Sequence, residues 1–471
     1  MSLLVIIVIL LLIILFLFSY SIFRFRGAIS RALNMSLLMI RMPREVPKED
    51  QQKQEKEYIA VTEQLFASFT AFHSKGLNRL LYGEPYLALE LAVHHIGEEI
   101  YFYIAIPRSY EEVIEKQIHG FYPTAEITKV KDYNIFNPQG ASAGSYFFLS
   151  KNQILPFKTY QKLETDPLGE ILTAMSKLEE QGEGASLQVL IRPSHNNSLK
   201  SLASKVSKEI QRGFDFNQAL LRSQKSKIIE FIETVSSPTS VSKQEKPGEE
   251  TKAVTPYHEE TVKALVSKFS KPLFDVNIRA LASAKSEERA NQILEQMENS
   301  FVQFSAPDLN SLKPVRLKGA KLQKLIFNFS FRLFNEKQKL FLSTEELASI
   351  YHFPTPNTIV PRIKFLKAKP AEPPPDLPKE GVILGINKYR GQEREVRIQT
   401  EDRRRHLYVI GQTGTGKTTF LGNLIKQDIW NGEGVGVIDP HGDLIENILG
   451  NIPMERAEEV IVFDPSDLER P

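Results

Sequence analysis

The sequence predicts a chain of mixed class: an apolar N-terminal helix, a body of α+β modules, and the opening portion of an α/β unit at the C-terminal end. Three observations predict it. Leu3 to Phe23 carries no charge, strand-like and helix-like periodicities alternate from Tyr86 to Phe353, and a glycine-punctuated strand, loop and helix pattern begins at Leu407. Composition agrees, since 42% of the 471 residues are hydrophobic and 25% charged, which excludes collagenous and wholly disordered chains. With no cysteine, disulfide frameworks, thiolate zinc sites, iron–sulfur clusters and a cysteine nucleophile are excluded together. Lys and Arg total 59 against 57 Asp and Glu, so any surface for a polyanion must be a local stripe.

The first element, residues 1–23, is expected to be a transmembrane anchor: the run from Leu3 to Phe23 is long enough, at about 1.5 Å per residue, to cross a hydrocarbon core. A cleaved leader is the competing reading. Against it stand the lack of Lys or Arg before the run, a length beyond the usual apolar core of about 7–15 residues, and no small-residue cleavage site. Arg24, Arg26, Arg31, Arg41, Arg44 and Lys48 follow, opposed by Glu45, and this positive-inside asymmetry predicts a single-pass protein of the inner membrane with its bulk in the cytoplasm. Residues 24–80 are read as a juxtamembrane and helical segment. Ala28 to Met42 mixes apolar residues with arginine, as a helix does at the headgroup layer or packed on protein.

Residues 81–232 form the first α+β module. Tyr86 to His94 and Ile100 to Ile106 are apolar runs around the turn residues Ile96, Gly97 and Glu98, a hairpin pattern. Ser109 and Glu112 have capping-box spacing, and Val113, Ile114 and Ile118 share a helical face before a strand at Thr124 to Val130. Strand, strand, helix, strand suggests half of a ferredoxin-like sandwich. A helix at Leu168 to Leu178, a strand at Leu187 to Ile191 and a helical stretch from Leu199 to Ile232 follow. Residues 233–256 lack any aromatic side chain and are rich in Ser, Thr, Pro, Lys and Glu, so a disordered insertion is expected there.

Residues 257–368 form a second α+β module, with alternating strands at Leu273 to Ala282 and Leu325 to Phe334. A helix capped by Ser286 lies between them, and a capping box at Ser343 and Glu346 has Leu342 and Leu347 as its staple. In KLIFNFSFRLFNEKQK basic and aromatic residues interleave, as in a nucleic-acid stacking strip. The period-two placement of Leu325, Phe327, Phe329, Phe331 and Leu333 favours a half-buried strand instead. Residues 369–379, with five prolines, read as a stiff extended linker, and residues 380–471 as the last unit.

After a hairpin-like pair at Val382 to Ile386 and Glu395 to Gln399, Gly411, Gly416, Lys417 and Thr418 satisfy G-x-x-x-x-G-K-[ST]. Leu407 to Ile410 is the entering strand. Phe420, Leu421, Leu424, Ile425 and Ile429 line one face of the helix that leaves, closed by Asn431 and Gly432. A triphosphate needs many donors in a concave cup, and glycine lets successive N–H groups turn inward. The expected nucleotide-binding stretch is Gly411, Gln412, Thr413, Gly414, Thr415, Gly416, Lys417, Thr418 and Thr419. Lys417 is expected on the β- and γ-phosphates of ATP and Thr418 on Mg²⁺. Strands at Val435 to Ile438 and Val460 to Phe463 end in Asp439 and Asp464, and neither is followed by Glu, so the catalytic residues stay unassigned. Asp439, His441 and Asp443 suggest a metal site, but an Asp-Pro turn with Asp443 capping the next helix is favoured.

HLYVIGQTGTGKTTFLGNLI, VIDPHGD and VIVFDPSDLERP resemble the FtsK/HerA superfamily of ATPases, closest to the TraD-like coupling proteins of type IV secretion and conjugation. The resemblance implies a RecA-like domain, a homo-oligomer (a hexamer in that family), and DNA threaded through a pore as ATP is hydrolysed between subunits. Such a domain runs well beyond its P-loop, so the chain is expected to be the front portion of one, a fragment or a truncated frame. Two alternatives stay open: a membrane-tethered assembly module of a secretion system without hydrolysis of its own, and an assembly ATPase that moves protein.

Overall fold

The computed structural model describes residues 3–44, 54–73, 83–224, 254–366, 371–389, 392–412 and 414–465. The chain divides into two compact units, Met1–Ala368 and Lys369–Pro471. The insertion expected over 233–256 lies outside the described residues as far as 253, as does the end of the helical stretch expected to reach Ile232.

In the first unit α1 (Leu3–Leu33) runs without a break past Arg26 and Arg31. Among the described residues no helix is long and apolar enough to cross a membrane. The anchor expected at residues 1–23 is therefore corrected, and the single-pass inner-membrane localisation and the membrane partner fall with it. The physical reason is that crossing a hydrocarbon core of about 30 Å takes about 20 consecutive apolar residues, and no described helix meets that length and apolarity together.

The fold class is corrected in a second respect, because the strands on both sides of the insertion share one large antiparallel sheet in a mixed α/β body. Its strands are β1 (Met35–Arg41), β2 (Leu87–Val93), β3 (Ile100–Pro107), β4 (Glu126–Val130), β5 (Ala141–Leu149), β6 (Gly184–Pro193), β7 (Leu273–Ala284), β8 (Leu312–Arg316) and β9 (Leu340–Ser343). The order is β4-β1-β3-β2-β6-β7-β5-β8, with β9 paired to the start of β7. The order repeats itself: β1 to β4 are arranged 4-1-3-2, and β5 to β8 likewise. The two halves join where β2 meets β6, with Leu89 opposite Val189.

The connections repeat too. Helix α2 (Glu55–Ser68) joins β1 to β2 and α3 (Glu111–Phe121) joins β3 to β4, while α4 (Pro167–Met175) lies between β5 and β6 and α7 (Glu287–Asn299) joins β7 to β8. Helices α5 (Asn197–Gln211) and α6 (Pro256–Ser270) stand between β6 and β7 and pack together through Val206, Ile210 and Leu265. The boundaries of the two modules thus move: β1 lies in the stretch expected to be juxtamembrane, and the second half begins at Ala141 rather than after the insertion.

Alternation within the strands assigns the faces. Leu89 and Leu91 join the main core beneath α2, α3, α4 and α7, with Phe66, Ile114, Leu172 and Leu294. Ala88 and Ala92 face the other way, toward a smaller cluster with Leu190, Leu281 and Phe329. That second face receives α8 (Gly319–Ser330), where a strand was expected at Leu325 to Phe334. Leu322, Leu325 and Phe329 satisfy the helical period as well as the alternation does, and a short apolar run does not separate the two. Helix α8 settles on β5 at Gly144, where an added Cβ would stand 2.9 Å from Leu325 and 3.1 Å from Leu322. Two caps form as the spacing predicts: Ser286 caps α7, and Ser343 with Glu346 boxes α9 (Thr344–Ile350). Ser109 makes no cap, because a short 3-10 turn over Arg108–Tyr110 precedes α3.

Candidate phosphate-binding site

The second unit opens with a hairpin, β10 (Val382–Tyr389) and β11 (Gln392–Ile398), with a bulge between Ile383 and Gly385. It is clasped to α10 (Lys417–Trp430) through one side chain: Gln427 accepts from the Ile383 amide at 2.9 Å and donates to the Ile383 carbonyl at 2.9 Å. Arg403 adds a two-pronged ion pair to Asp428 on the same helix, both contacts at 2.6 Å. Neither Gln427 nor Arg403 stands out in the sequence, because the partners are 44 and 25 residues away.

Before α10 the backbone turns through Gly414 at φ +80° and Gly416 at φ +91°, a left-handed region that L side chains avoid. Thr415 closes the turn, its amide donating to the Gln412 carbonyl at 3.2 Å and its hydroxyl to the same oxygen at 2.7 Å. The Lys417 ammonium folds back over the loop and donates to the carbonyls of Gly411 and Gln412 at 2.7 and 2.9 Å. The structure thus brings Gly411, Gln412, Gly414, Thr415, Gly416 and Lys417 together at the positive end of α10, and places Thr418 and Thr419 exposed in its first turn. Thr413 lies outside the described residues. A loop with two left-handed glycines, a lysine that reaches across it and a free threonine hydroxyl has the donors and the acceptor that a triphosphate with Mg²⁺ requires.

The helix ends as its Asn431-Gly432 pair predicts, with Gly432 at φ +81°. Of the expected apolar face, Leu424 is buried and Leu421 remains exposed. Three expected strands differ. Leu407 to Ile410, Val435 to Ile438 and Val460 to Phe463 run extended without ladder partners among the described residues, with Ile438 99% exposed. A strand exists only through its neighbour's hydrogen bonds, and the described residues of this unit provide none for them.

Asp439 serves as a turn residue: its carboxylate accepts from the amides of His441 at 3.1 Å and Leu444 at 2.9 Å. Those bonds favour the charged form and hold its carboxyl below the usual aspartate range. Asp443 opens α11 (Asp443–Leu449) behind Gly442 at φ +85°, so the capping expected of Asp443 is performed by Asp439. Asp439, His441 and Asp443 do not converge as a metal cluster, and none is found among the described residues.

The loop and helix define the class first: the C-terminal unit is built as a P-loop phosphate-binding element. Residues 387–469 match the family model described as Helicase HerA, central domain, which supports a likeness of this unit to the P-loop ATPases of the HerA/FtsK superfamily. Residues 48–364 match the family model described as Domain of unknown function (DUF8128), and since that match covers more than half of the chain, the chain belongs to this family. No curated protein matches the chain.

Proposed function

We propose that this chain binds ATP with Mg²⁺ through Gly411–Thr419 and acts as an ATPase that translocates DNA. The observation that carries the reading is the pair of left-handed glycines with Lys417 drawn across the loop onto two carbonyl oxygens. A bound triphosphate would offer stronger, charged acceptors at the place where the Lys417 ammonium now spends two hydrogen bonds. The amides of Gly414 and Gly416 and the start of α10 would cradle the phosphates, and the Thr418 hydroxyl would hold Mg²⁺. The cation supplies charge neutralisation at the phosphoryl oxygens. Within the superfamily, the strings Val437 to Asp443 and Val460 to Pro465 support the coupling-protein branch, and oligomerisation follows from the same reading.

The test is titration of the full chain with a fluorescent ATP analogue, with and without Mg²⁺. Lys417→Ala is expected to weaken binding at least about tenfold, and Thr418→Ala to remove only the part that depends on Mg²⁺. Unchanged binding in Lys417→Ala overturns the nucleotide reading. ATP turnover that does not rise when DNA is added overturns the motor reading alone.

A further inference from the structure

From Leu309 to Asn335 the chain has no acidic residue, yet it carries Lys313, Arg316, Lys318, Lys321, Lys324 and Arg332. Two of these are committed: Arg316 pairs with Glu298 at 2.6 Å and Arg332 with Glu90 at 2.8 Å. Lys313, Lys318, Lys321 and Lys324 are exposed, and none has an ion-pair partner among the described residues. They follow the outer strand β8 and the first two turns of α8.

The same helix leaves two aromatic rings in solvent. Phe327 is 40% and Phe331 36% exposed, with ring centroids 4.7 Å apart and planes inclined by 44°. The spacing 324, 327, 331 puts Lys324 and both rings on the helical face turned away from Leu325 and Phe329, which seat on the sheet, while Lys321, one turn before Leu325, lies at the border between the two faces. A helix, unlike the expected half-buried strand, turns the interleaved basic and aromatic pattern into a surface. The broad apolar face an interfacial helix would insert into lipid is already spent on the sheet. Strand addition along β8 is opposed by Pro314 and Lys313 in the outer strand.

We propose that α8, with the adjoining strand β8, is a docking surface for single-stranded nucleic acid: Lys313, Lys318, Lys321 and Lys324 neutralise phosphates while bases stack on Phe327 and Phe331. This surface belongs to the first unit and needs no nucleotide at the P-loop, so it stands whether or not the ATP reading does.

The test is fluorescence anisotropy of a labelled oligothymidylate of about 20 nucleotides with the full chain over a salt series. The wild type is expected to bind with a linear fall of log affinity against log salt. Lys321→Ala with Lys324→Ala should make that slope shallower by about 1.4, two contacts at about 0.7 each. Phe327→Ala with Phe331→Ala should weaken binding about tenfold or more and leave the slope unchanged. Lys324→Glu is a single-site check, and unchanged melting shows that each variant is folded. The pair Lys200→Ala with Lys208→Ala, on α5, should bind as the wild type does. Absence of wild-type binding, or equal loss in the α5 pair, overturns the proposal. So does capture by phosphatidylserine-containing vesicles without oligonucleotide binding, which would assign the surface to lipid.

Discussion

Arg332 reaches Glu90 from 242 residues away with two hydrogen bonds, Nε to Oε1 at 2.8 Å and Nη2 to Oε2 at 3.1 Å. Glu90 lies fully buried on β2, where Gln188 also donates to it at 2.7 Å and the Tyr133 hydroxyl at 3.0 Å. Through Arg332 the segment after α8 is strapped to the seam between the two halves of the sheet. The strap continues strand by strand: buried Arg279 donates to the Leu333 carbonyl, and Asn277 exchanges two bonds with the backbone of Asn335.

Removing one partner of this pair should be severe, because it strands the other as a buried charge. Arg332→Met is expected to lower the stability of the first unit by about 3–5 kcal/mol, read from urea unfolding followed by tryptophan-independent far-UV circular dichroism. Adding Glu90→Leu to Arg332→Met should recover part of that loss. A single variant as stable as the wild type would show that the pair does not hold the strap.

Two glycines of the sheet should respond differently to the same methyl group. At Gly184 an added Cβ would stand 2.2 Å from the Ile135 carbonyl oxygen, a backbone atom that cannot yield, whereas at Gly144 it meets the ends of Leu325 and Leu322. Gly184→Ala is expected to cost about 3 kcal/mol or more and Gly144→Ala about 1 kcal/mol. Equal melting temperatures would contradict the packing of these two sites.

His352 is fully buried and shares a 2.9 Å contact with Asp166, which also accepts from Thr358 at 2.9 Å and from the Leu168 amide. Burial acts to lower the imidazole pKa, but the Asp166 charge and hydrogen bonds outweigh it and carry it above its usual 6.5. Burial likewise acts to raise Asp166, and the His352 charge and hydrogen bonds bring it below 3.8. A raised histidine contributes stability that is complete below its unfolded pKa and is lost as pH rises through the folded one. The depressed aspartate contributes above its unfolded pKa and loses its share on acidification. Melting temperatures of the wild type and His352→Gln, measured across pH, should therefore differ most in the mildly acidic range and converge as pH rises above 6.5. A gap that widens with pH would reverse the assignment.

Gly416 sits at φ +91°, where a side chain is strained whatever space surrounds it. Gly416→Ala is expected to cost about 1–2 kcal/mol of local strain and to weaken ATP-analogue binding, while the melting of the first unit stays unchanged. Undiminished nucleotide binding would mean that the left-handed turn is dispensable.

Much of the candidate site was legible. Gly411, Gly416, Lys417 and Thr418 are close in sequence, so the loop geometry follows from local steric rules. The caps at Ser286 and Ser343 were legible for the same reason, since each needs only a hydroxyl and an amide three residues on. Leu325 to Phe334 was misread because its apolar residues satisfy two periods, and only docking against Gly144 selects the helix. The capping role falls to Asp439 and not to Asp443, as its place at the helix start suggested, because the carboxylate that reaches the first-turn amide of Leu444 comes from five residues upstream.

By itself, the sequence determined the local devices of this protein: the phosphate-loop glycines, the hairpin of β2 and β3, and the helix starts at Ser286 and Ser343, each settled by sterics and hydrogen bonds within a few residues. Tertiary structure alone decided that the strands on both sides of the insertion share one sheet, that β1 belongs to it, and that Arg332 finds Glu90. Those outcomes depend on which apolar faces and buried charges meet across hundreds of residues, and no local periodicity encodes that choice.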